Sequence, residues 1–275
     1  MGANQSNAGA HDVLTLLNSR EWQELSGSRV QDVRRKLELI DRLGVPPMRV
    51  LPSAELRRLR LLPRSDCART VDARAALENR GVIMFCSHRW LRPDEGRPDN
   101  ALNRKARVLA MFGEWYERKY TGRNIYWWLD WCCIDQDDPL PGVRALPLYV
   151  AASNDIMCYE TADYDARAWC QVERIVAFTF MASGRVPWVV CDSSALDAAL
   201  RLAGPVGVRV TREPRLLVDP SGCKLSTESD REPVEGLKMV ALRAKVATDE
   251  RRLEFGVTSI DASVCIFGME GSDHP

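Results

Sequence analysis

From residue 81 onward, short apolar runs alternate with segments of helical period, and this alternation limits the fold more than any other feature of the chain. Strands that alternate with helices form parallel sheets with helices on both faces. The sequence therefore predicts an α/β fold over residues 81–204, built on a doubly wound parallel sheet. The predicted strands are residues 82–86, 125–133, 155–159 and 185–191.

The segments on either side of this unit lack the alternation. Residues 11–80 show helical patterns and no strand pattern, so we expect an all-helical N-terminal extension. Residues 205–275 combine strand-like runs with a helix that follows a capping-box pattern at Ser229 and Glu232, so we expect a small mixed appendix. Residues 1–10 are small and polar and are expected to be disordered. The helices predicted in the extension are residues 12–20, 28–43, 53–62 and 66–79.

Composition and charge exclude several classes of function. Thirty-eight basic residues balance thirty-eight acidic ones, so no long-range field attracts nucleic acid. Nine cysteines without a signal peptide indicate reduced thiols in a cytoplasmic protein. No run approaches the roughly 18 apolar residues of a membrane span. Three histidines without a CxxC pair give no basis for a structural zinc site.

The chain begins with MGANQS, a pattern that predicts N-myristoylation of Gly2. One myristoyl chain binds a membrane only marginally, so we expect weak contact with the cytoplasmic face of a membrane at most. Arg34, Arg35 and Lys36 either add a basic second signal or form the solvated face of a helix.

The helical pattern at 166–180 contains a carboxylate in its apolar stripe. Glu173 lies within that stripe, whereas Arg174 is expected to face solvent. A carboxylate in such a position is either a functional group with a shifted pKa or half of an ion pair with an arginine such as Arg167. The stripe repeats at spacings of three and four residues and consists of Trp169, Val172, Val176 and Phe180.

Residues at the ends of the predicted strands are the candidates for binding a ligand. In a doubly wound sheet, ligands bind outside the carboxyl ends of the strands, where the connections diverge to opposite faces. The first and second predicted strands bring to this edge Ser87, His88, Arg89, Trp90 and Asp135.

Two motifs in this unit resemble known families. IYWWLDWCCIDQDD at 125–138 resembles the W-I-D-x-L-C-I-N/D-Q strand of fungal heterokaryon-incompatibility (HET) domains. RAWCQVE at 167–173 is similar to the R-x-W-x-x-Q-E helix of that family, with its glutamine one position early, and to the W-C-x-x-E stretch of plant Toll/interleukin-1-receptor-like (TIR) domains. The order of the elements agrees as well, and the resemblance covers about residues 81–192.

The resemblance implies a flavodoxin-like fold and chemistry on a nicotinamide dinucleotide. Catalytic TIR domains cleave NAD between nicotinamide and ribose with one glutamate of this helix, which corresponds to Glu173, so NAD is implied as a substrate and no cofactor is expected. Placement suggests that Trp90 or Trp169 stacks on the nicotinamide ring and that Arg89 meets a phosphate. Tryptophan is more often a core residue than a stacking platform, and Trp169 is open to that role as well.

A departure from both families leaves three functions open. The segment between the second and third predicted strands is shorter and richer in proline than in either family. No glycine-rich phosphate loop is present, which weakens a conventional Rossmann fold but not this resemblance. The chain is therefore an NAD glycohydrolase or cyclase of TIR type that is active when copies associate, or a non-catalytic module that binds like domains or other proteins. The third alternative is a structural protein of a membrane-linked or cytoskeletal assembly.

Overall fold

The computed structural model of the protein describes residues 13–25, 30–65, 68–181, 186–192, 209–212, 217–249 and 265–266. Gly2, the predicted disordered segment 1–10 and the helix predicted at about residues 194–203 lie outside the described residues. In the described part, strands and helices alternate from Gly81 to Cys191, as the sequence predicts.

Elements are numbered in chain order. The described α-helices are α1 (13–18), α2 (Arg20–Gln23), α3 (Val30–Arg42), α4 (Ser53–Leu59), α5 (Ala73–Glu78), α6 (Arg104–Lys119), α7 (Asp130–Cys133), α8 (Leu140–Ala152), α9 (Ala168–Phe180) and α10 (Arg231–Asp249). The described strands are β1 (Arg49–Pro52), β2 (Val71–Asp72), β3 (Gly81–His88), β4 (Asn124–Trp128), β5 (Asp155–Glu160), β6 (Trp188–Cys191), β7 (Arg209–Arg212) and β8 (Cys265–Ile266).

The described strands form one sheet in the order β2-β1-β4-β3-β5-β6-β7-β8. The central strands β4, β3, β5 and β6 run parallel, whereas the pairs toward both edges are antiparallel. The α/β class is thus confirmed. The described strands within residues 81–204 are parallel as predicted, and the sheet as a whole is mixed because strands from the segments on either side extend it. The core of the sheet lies at β3, whose residues from Gly81 to Ser87 are all buried, as expected for a parallel strand covered on both faces.

The N-terminal extension is not all-helical, because β1 and β2 belong to the sheet. Leu51 of β1 pairs antiparallel with Trp127 of β4, so this part of the chain extends the central sheet. A strand of four residues is too short to show a clear alternation, and its pairing depends on a partner far along the chain. The helix predicted from residue 66 starts only at Ala73, where the Asp72 side chain accepts a hydrogen bond from the backbone N–H of Arg74 at 2.8 Å.

The second predicted strand is too long. β4 ends at Trp128, and the chain enters the short helix α7 at Asp130. The Asp130 carboxylate accepts a hydrogen bond from the backbone N–H of Trp131 at 2.6 Å, which satisfies a free donor of this first turn. Asp130, and not Asp135, is therefore the acidic residue that follows β4.

Helices cover both faces of the central strands. Successive side chains of a strand point to opposite faces, and the neighbours Ser87 and His88 contact α9 and α6 respectively. On the α6 face, α4 packs against α6, and on the other face α8 and α10 pack against α9. The capping box before α10 involves Thr227 and Asp230, so the prediction of Ser229 and Glu232 is displaced by two residues.

Lys36 is buried and does not contribute to a basic surface. Its Nζ atom donates hydrogen bonds to the carbonyl oxygens of Ala151, at 2.9 Å, and Phe180, at 3.2 Å, near the C-termini of α8 and α9. Only 1% of the residue is exposed, so it is not available as a basic second signal for a membrane. Among the described helices, none is long and apolar enough to cross a membrane.

Candidate active site

Ser87 and Glu173 meet at the carboxyl end of the central strand. β3 places Ser87 next to α9, where its Oγ donates a hydrogen bond to Glu173 Oε2 at 2.5 Å. The same Oγ is 2.6 Å from the hydroxyl of Tyr164 in the short turn before α9. Ser87 is 0%, Tyr164 1% and Glu173 8% exposed. The structure thus joins two predicted site residues and adds a third, Tyr164.

The carboxyl group of Glu173 is strongly perturbed. Burial raises its pKa to about 8, and the negative charge of Asp130 raises it further, while the hydrogen bond from Ser87 acts in the opposite direction. The carboxyl group is therefore mostly neutral at pH 7 in this arrangement. The arginine considered as its partner, Arg167, instead donates a hydrogen bond to Ser226 Oγ at 2.8 Å.

His88 belongs to a second group of side chains on the opposite face of β3. Its Nε2 lies 3.1 Å from Asp130 Oδ1, and its Nδ1 lies 2.8 Å from Lys105 Nζ. A lysine ammonium group is only a donor, so Nδ1 accepts from Lys105 and Nε2 carries the hydrogen that Asp130 accepts. Lys105 also donates to the carbonyl oxygens of Arg89, at 2.7 Å, and Pro98, at 2.6 Å, which fixes its position.

Lys105 and Asp130 differ in exposure, and the pKa of each lies below its ordinary value for a different reason. Lys105 is 0% exposed, and burial lowers its pKa to about 8. The Asp130 side chain is 32% exposed. Burial acts to raise the pKa of Asp130, but the contact with His88 and the hydrogen bonds from Trp90 and Trp131 outweigh it and hold that pKa below its ordinary value. Asp130 is therefore an ionised carboxylate near neutral pH.

Arg89 and Trp90 already have partners at this edge. Arg89 forms a salt bridge with Asp163 in the turn after β5, and Trp90 donates its indole N–H to Asp130 Oδ2 at 2.7 Å. The Trp90 ring lies edge-on to the ring of Trp131, with centroids 5.5 Å apart. An anionic ligand would have to share Arg89 with Asp163, whereas Trp90 is a half-buried residue.

Two predicted site residues lie elsewhere. Asp135 is exposed in the turn after α7, where its Oδ1 accepts a hydrogen bond from the backbone N–H of Asp137 at 2.9 Å. Trp169 lines a cavity of about 390 Å³, together with residues of α1, α8 and α10 such as Val13, Pro147 and Leu237. The residues that line this cavity do not include Glu173, so the structure gives no support for Trp169 as a platform beside that carboxyl group.

Arg174 does not face solvent as the periodicity predicts. It is 4% exposed, and its Nη1 lies 2.7 Å from Asp165 Oδ1 in the turn that precedes α9. The helix packs against α8 and α10 as well as against the sheet, and Arg174 lies close enough to β5 to lower the pKa of Cys158. An amphipathic pattern assigns the residues outside the apolar stripe to solvent, and it does not show whether the helix is packed on more than one side.

Sequence analysis missed Asp130, Lys105 and Tyr164. Asp130 left a usable signal, since it is the one charged residue within the apolar run at 125–134, and aspartate often begins a helix. Lys105 and Tyr164 left none, because they reach the site only through the packing of α6 and of the turn before α9 on the sheet. In the described part of the chain, no cluster of three His, Cys, Asp or Glu side chains is placed to hold a metal ion.

Comparisons of the chain with protein-family models, with curated proteins and with solved structures gave no match.

Proposed function

We propose that this chain is a TIR-like domain protein that cleaves NAD at the bond between nicotinamide and ribose, with Glu173 as the catalytic carboxylate. The observation that carries the proposal is the position of Glu173, a buried carboxyl group hydrogen-bonded to Ser87 at the carboxyl end of the central strand. Ligands of doubly wound sheets bind at this edge. Perturbed carboxyl groups are enriched at functional sites.

The topology supports a flavodoxin-like domain as the setting of this site. In chain order the four parallel strands are β3, β4, β5 and β6, and they lie in the spatial order second, first, third, fourth. A flavodoxin-like sheet has this order, with its switch point between the first and third strands. Here those strands are β3 and β5, and Ser87 of β3 pairs with Cys158 of β5.

The reaction needs little from the protein beyond one carboxylate. Nicotinamide leaves as a neutral molecule when the bond to ribose breaks, water supplies the hydroxyl group of the ribose product, and one proton is released. An oxocarbenium-like ribose forms on the way, and a carboxylate in a dry site stabilises that charge. The cationic nicotinamide ring, when bound, lowers the pKa of Glu173, so substrate binding itself favours the ionised form. Trp90, which bonds to Asp130 at this edge, is the proposed stacking partner of that ring.

The burial of Glu173 favours a second candidate function, that of a non-catalytic interaction module. The residue is only 8% exposed, and Ser87 satisfies its Oε2 without any ligand. In that function, like domains or other proteins associate through the surface of the same fold. Glu173 then contributes only to the folded structure.

Release of nicotinamide from NAD by the purified chain tests the proposal. The assay compares the wild type with Glu173→Gln, which keeps the shape of the side chain and an acceptor for Ser87. Glu114→Gln is the matched control, because Glu114 is an exposed glutamate on α6 with 55% of its side chain accessible. Each protein is assayed over a range of protein concentrations, since the proposed activity requires association of copies.

We expect the wild type and Glu114→Gln to release nicotinamide at similar rates. Glu173→Gln should be slower by at least about a hundredfold, because it lacks the group that stabilises the charge of the transition state. No release by the wild type at any concentration, or equal release by Glu173→Gln, would reject it. The module is then favoured if the wild type still self-associates.

A further inference from the structure

In the described part of the chain, the Asp130 carboxylate has one hydrogen-bond acceptor position that no protein donor fills. Its Oδ1 accepts from the backbone N–H of Trp131 and from His88 Nε2, and its Oδ2 accepts from Trp90 Nε1. A carboxylate offers about four acceptor positions on its two oxygens. In the described part of the chain, three of these positions are filled by protein donors, and the remaining one is on Oδ2.

Exposure shows which member of this group can reach a ligand. The side chain of Asp130 is 32% exposed, whereas that of His88 is 2% exposed and Lys105 is 0% exposed. His88 and Lys105 therefore stand behind the carboxylate and cannot touch a ligand. They hold Asp130 in place through hydrogen bonds of 3.1 and 2.8 Å in series, the arrangement of positioning residues.

Two indole rings adjoin the exposed carboxylate. Trp90 bonds directly to Asp130, and Trp131 follows Asp130 in the chain. Both tryptophans are half-buried residues. Their centroids are 5.5 Å apart and their planes are at 90°. A charged acceptor beside partly exposed aromatic surface suits a ligand that combines hydroxyl groups with a flat or apolar ring.

Asp130 and Glu173 form a contrasting pair of carboxyl groups. Asp130 is ionised and Glu173 is mostly neutral near pH 7, and the negative charge of Asp130 helps to raise the pKa of Glu173. Groups whose environments push their pKa values apart commonly divide the work of a site between them. Asp130 is too weak a base to remove a proton efficiently, so binding through a hydrogen bond suits it better than proton transfer.

We propose that Asp130 Oδ2 accepts a hydrogen bond from a ribose hydroxyl group of a nucleotide ligand, beside the rings of Trp90 and Trp131. This inference rests on the proposed function in taking the ligand to be a ribosyl nucleotide. It adds a second carboxylate that binds the sugar while Glu173 faces the bond that breaks. Lys105 and His88 are positioning residues for Asp130.

The test measures binding of ADP-ribose and of analogues that lack the 2′ or the 3′ hydroxyl group of the terminal ribose, by titration calorimetry on the full chain. ADP-ribose contains no nicotinamide bond, so the measurement does not depend on cleavage. A hydrogen bond to a charged acceptor makes the wild type prefer ADP-ribose over one analogue by roughly tenfold or more. Asp130→Ala lowers this preference to about twofold or less, and Asp135→Asn, in the exposed turn nearby, leaves it unchanged.

Asp130→Asn covers the case in which the alanine variant does not fold. It keeps the shape of the side chain but places an uncharged amide before the ligand, so the preference falls severalfold below that of the wild type. A wild-type preference that Asp130→Asn retains in full would overturn the inference. So would a chain that binds neither ADP-ribose nor the analogues at millimolar concentration. Binding with an Asp130-dependent preference, but without NAD cleavage, sustains this inference and rejects the proposed function.

The positioning role of Lys105 has its own readout. In Lys105→Met the ammonium donor is gone, and His88 Nδ1 can instead carry the hydrogen and donate to the Arg89 carbonyl oxygen 3.2 Å away. Nε2 then no longer donates to Asp130, so the pKa of Asp130 rises. The preference for the hydroxyl group is expected to disappear at a higher pH than in the wild type, and Lys105→Arg to restore the wild-type profile. An unchanged profile in Lys105→Met would remove the positioning role. The titratable groups around Asp130 are His88, Lys105, Glu173, Cys86 and Cys133.

Discussion

Replacing Glu173 by glutamine is expected to stabilise the folded chain, by an amount that depends on pH. The carboxyl group is buried with Ser87 as its hydrogen-bond donor, and burial raises its pKa from 4.5 to about 8. In the unfolded chain the same group ionises at its ordinary pKa. The unfolded state therefore releases a proton at a lower pH than the folded state does.

The sign and size of the effect follow from this difference. Below pH 4.5 the carboxyl group is protonated in both states and adds no pH dependence. Between that value and about 8, only the unfolded state is ionised, so each pH unit lowers the free energy of unfolding by about 1.4 kcal/mol. At pH 7 the loss is on the order of 3 kcal/mol. Glutamine has a similar shape and no charge to bury, so Glu173→Gln escapes this loss.

The assay is urea unfolding at pH 5, 6, 7 and 8, with the midpoint and slope fitted at each pH. The wild type is compared with Glu173→Gln and with the exposed control Glu114→Gln. The free energy of unfolding of Glu173→Gln should exceed that of the wild type by a margin that widens with pH. Glu114→Gln should follow the wild type, because its side chain is 55% exposed and has no burial cost to remove.

Two results would refute this reasoning. A margin that stays constant from pH 5 to 8 would show that Glu173 titrates normally, and so is in contact with water in the folded chain. A Glu173→Gln variant that is less stable than the wild type, most of all at pH 8, would show that the folded chain stabilises the charged carboxylate. An ion pair with an arginine would then be the better account.

Two further predictions concern packing away from the site. Burial lowers the pKa of Lys36 from 10.5 to about 8, so between these values the Lys36 amine is neutral only in the folded state. Relative to Lys36→Met, the wild type should therefore gain stability as the pH rises from 8 toward 10. A difference in urea midpoints that does not change with pH would contradict the burial of Lys36. In Gly113→Ala the added Cβ would lie 2.1 Å from Ser53 Oγ. Such overpacking costs about 1–3 kcal/mol, whereas the higher helix propensity of alanine contributes up to about 1 kcal/mol. We therefore expect a net loss of stability. Adding Ser53→Ala should recover most of that loss in the same urea unfolding assay. A Gly113→Ala chain that is more stable than the wild type would contradict the close contact of α4 and α6.

The part of the site that depends on local pattern could be predicted from the sequence. An apolar run that ends in polar residues places Ser87 and His88 at the end of a buried strand, and helical spacing places Glu173 on the buried side of the helix that follows β5. Parallel strands deliver their carboxyl ends to one edge. The meeting of Ser87 and Glu173 follows from these two patterns together.

The rest depended on contacts between distant segments. Whether the apolar run after residue 125 stayed extended was decided by the turn into α7, and this moved the acidic residue of the edge from Asp135 to Asp130. Arg174 lies outside the apolar stripe of its helix, yet it is buried and pairs with Asp165. β1 is defined by its pairing with β4 more than by its own four residues. None of these contacts leaves a periodic trace in the sequence.

The energetic position of Glu173 bears on the choice between an enzyme and an interaction module. A side chain that lowers stability by a few kcal/mol at pH 7 is a poor structural element, because glutamine in the same place could accept the hydrogen bond of Ser87 without burying a titratable group. Residues that lower stability commonly serve function. A Glu173→Gln chain that gains stability and loses cleavage of NAD would fit the enzyme. A chain that loses stability with no change in small-molecule chemistry would fit the module, so the unfolding and cleavage measurements on this one variant decide between the two.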